Sequence, residues 1–207
     1  MRLDQYIYIA NFENVKTFKD FPDRFWIKYK EDVKDIKELP ENIYVQDSKR
    51  CPELSCIEEM RKNNLLQGYF ERKYAIENCE HIKITKEDIE YLLNTCNTFL
   101  SYFNQSLKNK INDYLYSYND DFDKLNEKFL KVIENSPKCQ EIINKKLPIT
   151  TGFCYGNDKL NLWYYDSIVE IKEKFETLTQ ESLSNYFGLS DYEEFYYSCW
   201  YWYDKRY

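Results

Sequence analysis

The chain has 207 residues, and 38 of them are aromatic (13 Phe, 4 Trp, 21 Tyr), against only 4 Gly. Its 29 basic and 36 acidic residues leave a net charge of −7, which opposes nucleic-acid phosphate in the absence of a local basic patch. No run of about 18 apolar residues occurs, which excludes a membrane-spanning helix. The opening MRLDQYIYIA has Asp4 and Gln5 where a secretory leader needs an apolar core, so a cytoplasmic protein is expected. At this length one domain suffices, with no need of disulfides or metal.

In chain order, residues 4–10 alternate weakly and are rich in β-formers, which predicts a strand, and 25–30 predicts a second. Residues 32–39 read as a helix stopped by Pro40, and 43–45 as a short strand. Pro52 suits the first turn of a helix over about 53–63, and a further helix covers about 65–78 despite Gly68. Residues 81–84 read as a strand. Thr85 followed by Asp88 has the spacing of a capping box. Behind it Ile89, Leu92, Leu93, Cys96, Phe99, Leu100 and Phe103 form one continuous stripe, the mark of a helix packed on a core.

Residues 105–135 predict two helices broken near 119–121, where Asp120, Asp121 and Asp123 are explained by capping. A short helix is expected from Gln140 to Lys146, then a turn-rich segment over 150–161. The last long helix is expected from Trp163 to Leu178, with Tyr164, Ile168, Ile171, Phe175 and Leu178 on one face. The segment FYYSCWYWY, residues 195–203, reads as a strand with aromatics on both faces, and therefore with cover on both. Strands near both ends with helices between predict a helix-rich α+β single domain whose N- and C-terminal strands pair in a small sheet.

Chemical signals are sparse. There is one histidine, His81, no GxSxG element, and neither a Walker nor a GxGxxG loop. Seven cysteines without a CxxC argue against a zinc site, and no cofactor is implied. Two features remain. Thr150, Thr151, Phe153 and Tyr155, followed by Tyr164 and Asp166, put rings and hydroxyls on a loop beside a helix, where a base or ring could stack. Arg72 and Lys73 form a basic pair on a helix; such pairs are ordinarily solvated, but facing the same pocket they would bind an anion. Tyr197 and Trp200 of the C-terminal aromatic segment complete the candidate ligand-binding set. The closest thing to a basic run is Lys145-Lys146 beside Lys138.

Several segments, taken together, resemble a family of uncharacterised phage and prophage proteins. They are MRLDQYIY at the start, YFERKYAI at 69–76, IKITKEDIEYLLNTC at 82–96, LPITTGFCYGNDKLNLWYYDSIVEIKEKF at 147–175 and FYYSCWY at 195–201. The corresponding family elements read like MGLDMYLY, YWRKANAIHKWF, YEVSREDLEELLDLC, LPTQSGFFFGSTEYDEWYYEDLEYTIEQL and FYYQSSW, in the same order. The chain departs from them at Arg2, at Glu77 and Asn78, where the family has His-Lys, and in the TQSG element, whose Gln is replaced where Thr150-Thr151-Gly152 stands. Residues 105–140 lie outside the match and read as an inserted helical pair.

The resemblance implies a phage-encoded accessory protein acting in the host cytoplasm. The leading expectation is a counter-defence protein, an anti-CRISPR-type inhibitor that binds a host defence protein through an acidic, Tyr-rich face. The alternative is a small-molecule binder that sequesters a nucleotide immune signal. Both are binding functions rather than enzymatic ones, with no direct nucleic-acid or membrane partner.

Overall fold

The computed structural model describes residues 2–16, 25–28, 43–44, 51–76, 80–117, 121–151, 159–179 and 195–202. Six strands, β1 (Arg2–Lys16), β2 (Phe25–Lys28), β3 (Ile43–Tyr44), β4 (Cys51–Arg61), β5 (Glu80–Ile84) and β6 (Phe195–Trp202), form one mixed sheet in the order β3-β2-β5-β6-β1-β4. The strand β6 lies between β1 and β5, antiparallel to both. The fold is α+β, and strands from opposite ends of the sequence pair at the centre of the sheet. The helix expected over 32–39 lies outside the described residues.

The period of two decides what each strand buries. Leu3, Gln5 and Ile7 of β1 lie on the same face as Ile82 and Ile84 of β5 and Phe195, Tyr197 and Cys199 of β6. All of these are buried. The opposite face carries Asp4, His81, Tyr196 and Ser198, also buried. Both faces of β6 are thus covered, as its two-sided aromatic pattern requires.

Helix α1 (Asn64–Tyr74) lies on the first face: Phe70 stacks on Tyr197 at 4.1 Å between ring centroids. A buried polar chain fixes this contact. Gln5 Nε2 donates to the Tyr197 hydroxyl (2.7 Å), which donates to Gln67 Oε1 (2.6 Å), while Gln5 Oε1 accepts from Asn63 N (2.8 Å). Satisfied networks of this kind specify one packing among several apolar alternatives.

Helix α2 (Lys86–Ser101) begins at the predicted capping box, both halves of which are present. Helices α3 (Gln105–Ser117) and α4 (Phe122–Glu134) follow, the second N-capped by Asp121. Helix α5 (Pro137–Glu141), with Ser136 as N-cap, runs directly into a π turn over Ile142–Lys146, and α6 (Leu162–Glu176) is the last helix among the described residues. Phe103 packs on Phe129 of α4 and on Tyr165 of α6, so the helical pair at 105–134 shares the common core.

Two elements differ from the sequence expectation. Residues 53–63 are not a helix. CPELSCIEEMR is the edge strand β4, paired antiparallel with β1 from Asp4↔Arg61 to Lys16↔Cys51. Helix formers such as Glu, Leu and Met supply the local signal, but the open edge of β1 supplies the partner, and tertiary pairing overrides propensity. Pro52 is tolerated because it falls on an edge strand within a register irregularity. Helix α1 also ends at Tyr74, not 78. Ala75 adopts a left-handed conformation (φ 52°) and its N–H closes on the Glu71 carbonyl, which stops the helix.

Candidate functional site

The strongest concentration of functional groups lies where the end of α1, the start of α2 and the π turn meet. Asp88 organises it. Its carboxylate is fully buried and accepts from five donors: Tyr69 hydroxyl (2.5 Å), Lys73 Nζ (2.6 Å), Tyr74 hydroxyl (2.7 Å), and Thr85 N (2.8 Å) and Oγ1 (2.7 Å). Burial alone would raise this carboxyl, but the hydrogen bonds from Lys73, Tyr69, Tyr74 and Thr85 outweigh it and hold Asp88 below its ordinary value. One residue therefore serves as capping box and as the clamp between two helices.

The clamp sets Tyr69 and Arg72 beside Tyr91 of α2. Tyr69 and Tyr91 stack nearly parallel, 5.5 Å apart at 20°. Burial pushes the Tyr69 phenol up, and its hydrogen bond to Asp88 pushes the same way. Burial lowers the Arg72 guanidinium from its ordinary value, although an arginine stays charged throughout the accessible range.

The third wall is the π turn. Such turns add a residue to a helical circuit and often mark functional sites. Here the turn presents Lys145 and Lys146 toward the same space. The following segment is anchored by Leu147, which is buried and whose carbonyl accepts from the Tyr164 hydroxyl (2.9 Å). Thr150 Oγ1 then accepts from Arg72 Nη1 at 3.2 Å. This approach requires glycine at position 68: a Cβ there would lie 1.7 Å from Thr150 Oγ1.

The result is an open cleft of about 380 Å³ lined by Tyr69, Arg72, Lys73, Glu87, Tyr91, Lys145 and Lys146. Lys73 is neutralised by Asp88. Lys145 and Lys146 make no hydrogen bond or ion pair to a described residue, and Arg72 keeps donors beyond the one given to Thr150. On a chain of net charge −7 this is a local reversal of sign, suited to a small anion.

A second, larger groove of about 880 Å³ runs along α6, lined among others by Trp163, Tyr164, Asp166, Glu170 and Glu173 with Arg61, Lys62 and Lys174. Its charges are mixed, and several are already paired: Lys174 with Glu58 (2.6 Å), Arg61 with Asp4 (3.7 Å). Burial raises the Glu170 and Asp166 carboxyls from their ordinary values. Among the described residues no group of three or more His, Cys, Asp or Glu is placed to hold a metal ion.

Of the residues singled out from the sequence, Arg72, Lys73 and Thr150 come together. Thr151 is exposed next to Thr150. Tyr164 and Tyr197 are core residues whose hydroxyls are engaged by Leu147 and by Gln5 and Gln67, so neither joins the cleft. Asp166 lines the other groove. Phe153 and Tyr155 lie outside the described residues, as does the side chain of Trp200, whose backbone pairs with Asp4. Sequence reasoning missed Tyr69, Glu87 and Tyr91 as cleft residues. The pair Lys145-Lys146 was visible only as the nearest approach to a basic run. No family model, curated protein or solved structure matches the chain.

Proposed function

We propose that the protein binds a small phosphate-bearing ligand in the cleft between α1, α2 and the π turn, and acts by holding that ligand rather than transforming it. The observation that carries this reading is the convergence of Arg72, Lys145 and Lys146, drawn from two separate elements, on one concave space of an acidic chain. Arginine and lysine in a half-enclosed cleft bind phosphate oxygens through charge-assisted hydrogen bonds. In the setting that the resemblance implies, the chain is a phage-encoded counter-defence protein in the host cytoplasm, and the ligand is an anionic signal of host immunity removed by sequestration.

Calorimetric titration of the full chain with inorganic pyrophosphate tests this reading. The wild-type chain is expected to release a saturable heat at low salt. Arg72→Ala combined with Lys145→Ala is expected to weaken binding at least about tenfold, since each lost charged hydrogen bond costs about 1.5–3 kcal/mol. No heat from pyrophosphate or any nucleotide would sink the reading.

A second reading, an anti-CRISPR-type inhibitor that binds a host effector protein, is favoured by Tyr116. This ring is 87% exposed on α3, and tyrosine is the kind of residue that anchors interfaces. The same cleft variant separates the two: under the second reading it retains counter-defence activity in an infection assay, and Tyr116→Ala loses it.

A further inference from the structure

We infer that the ligand of the cleft is a nucleotide whose base stacks on Tyr91, making Tyr91 the residue that selects a nucleotide over a bare phosphate. The inference rests on reading the cleft as a phosphate site and adds the other half of the ligand.

Tyr91 has the properties of a platform. One face of its ring lies on Tyr69 at 5.5 Å, while the residue remains 39% exposed. Its hydroxyl makes no hydrogen bond to a described residue, so hydrogen bonding does not account for its position. The ring beneath it is rigid. Tyr69 is held by its 2.5 Å hydrogen bond to Asp88, by an edge contact with Phe70 (5.2 Å, 79°) and by Lys73 Nζ 5.9 Å from its centroid. A planar group placed on Tyr91 would therefore extend an existing stack and would displace little ordered structure. Stacking of this kind tolerates any base, because every base has a π face.

The cations line the same cleft as this ring. Arg72 is close enough to Tyr91 that each charge influences the other's ionisation. The Tyr91 phenol is neutral at neutral pH, and burial raises it further, so it does not repel a phosphate. Lys145 and Lys146 face the same cleft from the π turn. Glu87, on the rim, makes no hydrogen bond to a described residue and is free to accept from a sugar hydroxyl. A ring platform, phosphate donors and one acceptor lining a single cleft match base, phosphate and ribose.

The test compares three probes on the full chain by calorimetry: adenosine diphosphate, inorganic pyrophosphate and adenosine. Adenosine diphosphate is expected to bind about ten- to hundredfold more tightly than pyrophosphate, the range a stacked base contributes. Tyr91→Ala is expected to abolish that advantage by weakening adenosine diphosphate binding far more than pyrophosphate binding, and Tyr91→Trp to retain it. Circular dichroism of both variants guards against a folding defect. If adenosine diphosphate and pyrophosphate bind equally to the wild-type chain, or if Tyr91→Ala weakens both alike, the inference is overturned while the phosphate reading stands. If none of the three binds, both fall together.

Discussion

Asp88 concentrates the energetics of the site in one side chain. Its oxygens accept from five donors, so Asp88→Asn places an N–H₂ either against Tyr69 and Lys73 or against Tyr74 and Thr85, whichever way the amide turns. Leaving a buried donor unsatisfied costs about 1–3 kcal/mol. The substitution is therefore expected to lower the unfolding free energy by about that amount at pH 7, measured by urea titration. The pH dependence has a definite sign. Asp88 titrates lower in the folded protein than in the unfolded chain. Its contribution is therefore complete above the unfolded value of about 4 and is lost as pH falls through the lowered folded value. Wild type should lose stability steeply on acidification below about pH 5, and Asp88→Asn should show a shallower slope there. Equal slopes would contradict the assignment. Glu170 has the opposite sign: burial raises its carboxyl, so its charged form opposes folding at neutral pH, and the network from Asn63 only partly offsets this.

At the scale of elements, α1 and the segment after the π turn are fitted to each other through an absent side chain. Gly68 leaves room for Thr150 Oγ1, and a Cβ would also meet the Thr150 Cβ at 2.8 Å. Gly68→Ala gains about 1 kcal/mol of helix propensity but forces α1 and residues 147–151 apart, at a cost of about 1–3 kcal/mol. A net loss of melting temperature is expected, together with weaker pyrophosphate binding because Arg72 and Lys145 separate; Thr150→Gly in the same chain should restore much of both. Here the sequence was informative in one respect and silent in another. The capping box at Thr85, the stripe of α2 and the face of α6 were legible because each depends on residues within a few turns. The strand β4 was not, because Leu54, Ile57 and Met60 recur at helical spacing and only the edge of β1 decides otherwise. Of the cleft, Arg72 and Lys73 were legible as residue types, as was Thr150, which hydrogen-bonds Arg72. Tyr91 was overlooked because it lies off the apolar stripe that explained its neighbours, and the π turn has no sequence signature.

The whole molecule is held together by a strand from near one end of the sequence inserted beside a strand from near the other. Between them β1 and β6 register eight residue pairs, from Arg2↔Trp202 to Ile9↔Phe195. The amides of β6 should accordingly be among the slowest to exchange with deuterium, matching global unfolding, while those of the exposed helix α3 exchange faster. Comparable rates in both would argue against β6 as the keystone of the sheet. The overall α+β pairing was predictable from the period-two pattern at 4–10 and the aromatic strand at 195–203. The order of strands between them was not, since it depends on pairings far apart in sequence. That order has a consequence during synthesis. A ribosome adding roughly 5–20 residues per second needs roughly 10–40 s to pass from β1 to β6. Throughout that interval Leu3, Gln5 and Ile7 lack their central neighbour, and β5 has no antiparallel partner. The nascent chain is thus committed to a long exposure of apolar strand edges, which makes its yield sensitive to translation speed and to chaperone supply.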